Sequence, residues 1–233
     1  MRVLVIGGSR GIGRQTVKYA LEKGYFVTVF SRNPSAIGIT NPKLKLHAGN
    51  VLDPSSLEAA MSDSDIVICA LGLSTRQALG PPLSKASHVL STGTRNILSA
   101  MSTKHVKRLI CVTAIGTGNS AGQCSFITRL TLRHGLRWLF KEKDIQEQLI
   151  EESTELNWTI LRPTALTNGK RKGATVNDNL RAGFFTHISR ADVASYMIDI
   201  IDQKTTHNKA LILSYPPKIG DSVRFLTGYL GLI

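Results

Sequence analysis

Cysteine is scarce in this sequence and falls into no pattern. Cys69, Cys111 and Cys124 lack the spacing of a zinc site or of a disulfide framework. Two of them sit inside apolar strand-like runs, where cysteine acts as a small hydrophobe, so a reduced, cytoplasmic protein is expected. The six histidines are scattered singly, and no metal site is expected. No apolar run approaches the ~20 residues that span a bilayer. The N-terminal run Val3 to Ile6 is short and ends in glycines, which reads as a buried strand and its turn, not as a signal peptide. Acidic residues are few: 16 Asp and Glu stand against 29 Lys and Arg, a formal net charge of +13. That imbalance favours anionic partners, a phosphorylated cofactor among them, or is simply a basic solvated surface. No basic-aromatic RNA motif accompanies it, so no nucleic-acid partner is expected.

What is present is a 42% hydrophobic chain of 233 residues, enough for one α/β domain with additions. Strand and helix signals alternate. Arg2–Ile6, Phe26–Phe30, Leu44–His47, Asp65–Leu71, Arg108–Thr113, Trp158–Leu161 and Ala210–Ser214 read as strands. Ile12–Lys23, His88–Met101, Lys141–Ser153 and Ala191–Ile201 read as helices. Asp53-Pro54 opens a further helix with an N-cap and a proline at its first position. Ser189 and Asp192 suggest a capping box. Such alternation implies right-handed βαβ units and a Rossmann-like, doubly wound parallel sheet with a small substrate-side extension. One domain over residues 1–220 is expected, with a helical insertion at 116–140 and an apolar tail at 221–233.

The strongest motif is Gly7-Gly8-Ser9-Arg10-Gly11-Ile12-Gly13, which directly follows a strand and opens a helix. In a dinucleotide site Gly7 permits the tight turn, Gly11 lets the backbone approach the pyrophosphate, and Gly13 packs helix against sheet. The helix N-terminus would then face the diphosphate. The competing reading is a glycine-rich turn without a ligand. At the end of the second strand, where NAD sites place an acid for the ribose 2′-OH, stands Ser31-Arg32-Asn33. With no carboxylate there, Arg32 and Arg10 are expected to pair with a 2′-phosphate, which points to NADP(H). Taken singly, each arginine reads equally well as an exposed one.

Together these features resemble the short-chain dehydrogenase/reductase superfamily. More closely, the chain is similar to its atypical branch of NAD(P)H-binding proteins, related to biliverdin reductase B, flavin reductases and NmrA-like proteins. The resemblance runs through Gly7–Gly13, Ser31-Arg32-Asn33-Pro34, Gly49–Asp53, Ala70-Leu71-Gly72, Gly93–Ile97 and Val112-Thr113-Ala114. It continues through Lys143 to Glu147, Trp158–Pro163 and Ile188–Ala194. It implies that Asn50 and Val51 flank the adenine, and that Ala70, Leu71 and Gly72 line the adenosine ribose and diphosphate side. Thr113 and Ala114 would lie beside the nicotinamide, with Pro163 and Thr164 near the carboxamide. For Leu71 and Pro163, ordinary packing competes with contact.

The sequence departs from the better-known members, which protonate the substrate oxygen with a Ser and a Tyr-x-x-x-Lys. Lys143 occupies the lysine place, but Leu139 stands for the tyrosine and Ala114 for the serine. Lys143 and Thr113 remain as the candidate catalytic residues. Lys143 would hold the nicotinamide ribose hydroxyls, or is a solvated lysine with an i,i+4 partner in Glu147. Thr113 would be a weak donor, or is structural. Within the insertion, Arg129, Arg133, Arg137 and Lys141 form a basic stripe opposite Phe126, Leu130, Leu132, Leu136, Leu139 and Phe140. A lid, an anionic-partner surface and a solvated face all fit that stripe. The function expected is NADPH-dependent hydride transfer to a small flavin-like or quinone-like acceptor, by a monomer or homodimer with no membrane span. Two alternatives stay open: a non-catalytic NADP(H)-binding regulator, which the missing tyrosine favours, and a nicotinamide-dependent isomerase or epimerase, which it disfavours.

Overall fold

The central β-rich runs become strands because they bury both of their faces under helices, while the edge strands stay partly exposed. The computed structural model describes residues 1–72, 88–124, 136–177, 180, 182 and 186–215. In chain order the principal elements are β1 (Arg2–Ile6), α1 (Gly11–Glu22), β2 (Phe26–Ser31), β3 (Leu44–Ala48), α2 (Pro54–Met61), β4 (Ile66–Cys69) and α3 (Val89–Thr103). They continue with β5 (Arg108–Val112), α4 (Arg137–Glu151), β6 (Asn157–Pro163), β7 (Ala165–Thr167), β8 (Thr175–Val176), β9 (His187–Ser189), α5 (Arg190–Asp199) and β10 (Lys209–Ser214).

Among the described residues the main sheet runs β3-β2-β1-β4-β5-β6-β10-β8. Every neighbouring pair is parallel except β10 with the edge strand β8. Successive residues of β1 serve opposite faces. Val3 and Val5 join Val17 of α1 and Val193 and Met197 of α5 in one layer. Leu4 and Ile6 join Leu57, Ile97 and Ile150 from α2, α3 and α4 in the other. Each fully buried aliphatic side chain contributes roughly 1.5–3 kcal/mol of transfer free energy, so this two-sided core is the main support of the fold. A separate pair, β7 with β9, forms the small extension beside the C-terminal ends of β6 and β10.

Two arginines inside the fold explain local order. Arg108 opens β5, and its guanidinium donates to the carbonyls of Ile200 and Ile201 beyond the end of α5, and to Asn157 O and Thr159 Oγ1. Burial lowers Arg108 to about 10, so it stays charged at neutral pH and suits a helix C-terminus. Arg162, in β6, pairs with Glu147 and belongs to the site described below.

The helix expected from Lys141 begins one turn earlier, at Arg137, so the end of the expected insertion is continuous with α4. The first part of that insertion is a 3₁₀ turn, Gly118–Gln123. Arg137 and Lys141 are exposed on α4. Arg129, Arg133, Phe126, Leu130 and Leu132, and the tail at 221–233, lie outside the described residues. At α5 the Ser189 hydroxyl accepts from Asp192 N–H, but the reciprocal half of the capping box is replaced. Ser189 N–H donates to Tyr215 Oη instead, and the Asp192 carboxylate takes other donors.

Candidate functional site

The chain leaves β1 toward β2 and β3 on one side, and later returns to β4 on the other. The crevice where the strand order reverses lies at the C-terminal ends of β1 and β4, the place where open α/β sheets take ligands. The Gly7–Gly13 turn sits there. Gly7 has φ +78°, and a Cβ on it would lie 2.7 Å from the carbonyl oxygen of Ala70. Its N–H donates to Phe30 O at 2.9 Å, tying the turn to β2. A Cβ on Gly13 would fall 2.3 Å from Gly7 O, so only glycine lets α1 start this close to the turn. Gly8 and Ser9 are buried and Ile12 half-buried, while Arg10 and Gly11 are exposed.

Four observations fit these residues to a dinucleotide. The first turn of α1 has no side-chain cap, as α3 and α4 have none, and its position in the crevice leaves its N–H groups facing the place an anion would take. Gly11 adopts φ +56°, and among the described residues outside α1 and its chain neighbours no backbone lies within 4 Å of its missing Cβ. Ser31 Oγ, at the end of β2, is buried without a hydrogen-bond partner among the described residues. Arg32, next to it, is exposed like Arg10.

The remaining expected positions fall at strand ends along the same edge. Asn50 and Val51 follow β3. Asn50 Oδ1 accepts from Leu52 N–H at 3.1 Å, so that side chain shapes its own turn. Val51 is buried, and its carbonyl accepts from Asn96 Nδ2. Val51 and half-buried Leu71 both press on Gly93 of α3, whose missing Cβ would lie 3.0 Å from Val51 and 3.2 Å from Leu71. Packing therefore accounts for these two side chains on their α3 side. Ala70 abuts the glycine turn, and among the described residues nothing lies within 4 Å of where a Cβ on Gly72 would stand. Pro163 ends β6 and is buried, as is Thr164, whose Oγ1 has no hydrogen-bond partner among the described residues.

Thr113 and Lys143 behave differently from one another. Thr113, just past β5, is buried, and its hydroxyl donates to Glu147 Oε1 at 2.5 Å. Thr117 donates to the same oxygen at 2.6 Å. Arg162 completes the set with Nε to Oε1 at 3.1 Å and Nη2 to Oε2 at 2.6 Å. The Thr113 proton is thus held by a buried carboxylate beneath the strand end. The i,i+4 pair available to Lys143 and Glu147 is not the one made: Glu147 turns inward to Arg162, because a carboxylate buried to 1% exposure needs a full complement of donors. Lys143 is half-buried. Burial lowers its ammonium, while the thiols of Cys111 and Cys69 and the Glu147 carboxylate pull the other way. Its charge therefore lies by the ends of β4 and β5. Cys69 and Cys111 face each other in register across those strands. Their hydrogen bond and burial push the Cys111 thiol well above its ordinary value, which leaves it a packing group.

Sequence reasoning missed three residues here. Arg162 lies in a run of strand residues, and a charge in a strand buried on both faces demands a buried counter-ion; that demand was the available signal. For Glu147, helix spacing offers only Lys143 as a partner. Arg190, at the start of α5, reaches the glycine turn, with Cδ and Nε each 3.9 Å from the position of a Cβ on Gly11. No spacing rule brings positions so far apart together.

Comparison with known proteins agrees with this geometry. The chain is 26% identical over 228 residues to an uncharacterized sugar epimerase, YhfK, of Bacillus subtilis, covering 92% of this chain and 94% of that one. Its fold is similar to that of ChuY, an anaerobillin reductase of Escherichia coli O157:H7, with a TM-score of 0.75 at 21% identity, covering 94% and 98% of the two chains. It is also similar to a short-chain dehydrogenase/reductase of Veillonella parvula in complex with NADP, with a TM-score of 0.74 at 19% identity over 92% of this chain and 94% of that one. The model of the NAD(P)H-binding family matches residues 7–204, from the glycine turn to beyond α5, and the chain belongs to that family.

Proposed function

We propose that the protein is an NADPH-dependent reductase of small flavin-like or quinone-like acceptors. The observation that carries this reading is the fate of the Thr113 hydroxyl, which donates into Glu147. With Leu139 and Ala114 in the places of the usual acid and its helper, no side-chain donor of the usual kind stands at the end of β5 among the described residues. When bound, the reduced nicotinamide supplies a hydride. Gly7, Gly8, Ser9, Arg10, Gly11, Ile12 and Gly13 would bind the diphosphate, with Ser31 and Arg32 at the 2′-phosphate. Asn50, Val51, Ala70, Leu71 and Gly72 would border the adenosine. Lys143 would orient the ribose at the nicotinamide end, and Pro163 and Thr164 would border the carboxamide. Thr113 would act as a positioning residue, fixing Glu147 beneath the site. Positioning alone supplies much of the rate for an acceptor that takes its proton from water. An unactivated ketone needs a built-in acid.

Loss of the reduced-nicotinamide absorbance should be faster with FMN, riboflavin or a quinone than with simple ketones or sugars. NADP(H) should bind at least tenfold more tightly than NAD(H), as a charge-assisted pair to the 2′-phosphate implies. Robust ketone reduction would overturn the proton-donor argument. Tight NADPH binding without turnover of any acceptor would favour a NADP(H)-binding regulator, the second reading that the same missing acid supports.

A further inference from the structure

We infer that Arg190 is a diphosphate-binding residue, which joins the small β7–β9 extension to the glycine turn. The inference rests on the proposed cofactor site. Arg190 is the first residue of α5, and its side chain lies alongside Gly11. Among the described residues, nothing else outside its chain neighbours and the backbone of α1 comes within 4 Å of the Cβ position at Gly11. That is the point at which a dinucleotide site brings backbone and diphosphate together.

The guanidinium is held but not neutralised. Nη1 donates to Asn168 Oδ1 at 2.9 Å and to Leu166 O at 3.4 Å, both uncharged acceptors on or next to β7. Among the described residues no carboxylate forms an ion pair with Arg190, in contrast to Arg162 with Glu147. A half-buried cation fixed by neutral groups beside an uncapped helix N-terminus suits an anion, and its planar fork suits phosphate oxygens.

The mounting is rigid. Asp192, in the first turn of α5 and buried, accepts from Lys172 N–H, Gly173 N–H, Ser189 Oγ and Tyr215 Oη. These bonds lock the loop after β7 to the start of α5, and α1 packs directly on α5. Arg190 is therefore preset and needs little ordering when an anion arrives.

The diphosphate is common to NADP(H), NAD(H) and ADP-ribose, and is absent from adenosine 2′-phosphate. Calorimetric titration of the full chain separates the roles. Arg190→Ala and Arg190→Gln should weaken NADP⁺, NAD⁺ and ADP-ribose alike, by about tenfold or more. Adenosine 2′-phosphate should bind as before. Arg190→Lys should recover part of the loss as a point charge. Arg32→Ala should show the complementary pattern, weakening NADP⁺ and adenosine 2′-phosphate only. Unchanged ADP-ribose affinity in both Arg190 variants would overturn the assignment while leaving the cofactor site standing. An equal loss for adenosine 2′-phosphate would also overturn it, since that pattern marks a merely structural arginine. Failure of the unaltered protein to bind any dinucleotide would overturn the site and the assignment together.

Discussion

At the scale of single residues, the glycine turn separates two physical demands. Gly13 answers a packing demand, because its missing Cβ would overlap Gly7 O. Gly11 answers a conformational demand and an open approach, because it has φ +56° and, among the described residues outside α1 and its chain neighbours, no backbone close by. The two components at Gly11 can be pulled apart. Gly11→Asn retains a residue that tolerates the left-handed region, whereas Gly11→Val adds strain of roughly 1–2 kcal/mol and a branched side chain. Both variants should fold. Gly11→Val should lose cofactor binding, with a thermal midpoint lowered by a few degrees, and Gly11→Asn should lose binding with a smaller stability change. Normal NADP⁺ titration of a folded Gly11→Val would place the diphosphate elsewhere.

At the scale of elements, the Glu147–Arg162 pair holds together α4, β6 and the turn after β5. Gly118, at φ +51°, passes so close that a Cβ there would lie 2.6 Å from Glu147 Oε2 and 2.7 Å from Arg162 Nη2. Asn119 Oδ1 accepts from Arg162 Nη1 at 2.5 Å, and Asp144 accepts from Gly118 N–H at 2.9 Å. Removing one charge strands the other. Arg162→Met should cost about 3–5 kcal/mol of stability in chemical denaturation, and Arg162→Met with Glu147→Leu should recover much of it. A single-variant loss under about 1 kcal/mol would mean that the pair is effectively solvated. This level also shows what was legible beforehand. Strands, helices and the doubly wound order follow from apolar runs of the right period and from turn residues such as Gly24 and Asp53-Pro54, which act locally. The β1–α1 turn was legible for the same reason. Glu147 with Arg162 and Gly11 with Arg190 were not, because nothing local encodes which distant charge a side chain will meet. Helix spacing offered Lys143 to Glu147, and desolvation selected Arg162.

At the scale of the whole molecule, stability depends on pH through groups that the fold perturbs in opposite senses. Burial alone would raise the Asp192 carboxyl, but hydrogen bonds from Tyr215, Ser189 and the N–H groups of Lys172 and Gly173 outweigh it and hold it below its ordinary value. Its stabilising effect is complete above the unfolded carboxylate range, near pH ~4, and is lost as pH falls through the lower folded value. Asp144 and Glu151 oppose it, since burial raises both, so the folded state takes up their protons first and gains on mild acidification. Comparing Asp192→Asn with the unaltered chain isolates the first effect. The difference in thermal midpoint should be largest near pH ~7 and shrink toward pH ~3. A difference that stays constant over that window would show that the Asp192 network acts through shape and not through charge.

The order of strands also sets an order in time. β3, β2, β1, β4 and β5 are contiguous in the sheet and are complete once Val112 has been made. The partner layer for α1 arrives much later, because Val17 and Ala20 are covered by Val193 and Met197 of α5, and Thr16 Oγ1 meets Met197 Sδ at 3.7 Å. During synthesis the nascent chain can therefore assemble five strands and the glycine turn while one apolar side of α1 is still bare, a period in which a chaperone or a neighbouring nascent chain has something to bind. The emergence of α5 ends that period, and the same step brings Arg190 to Gly11.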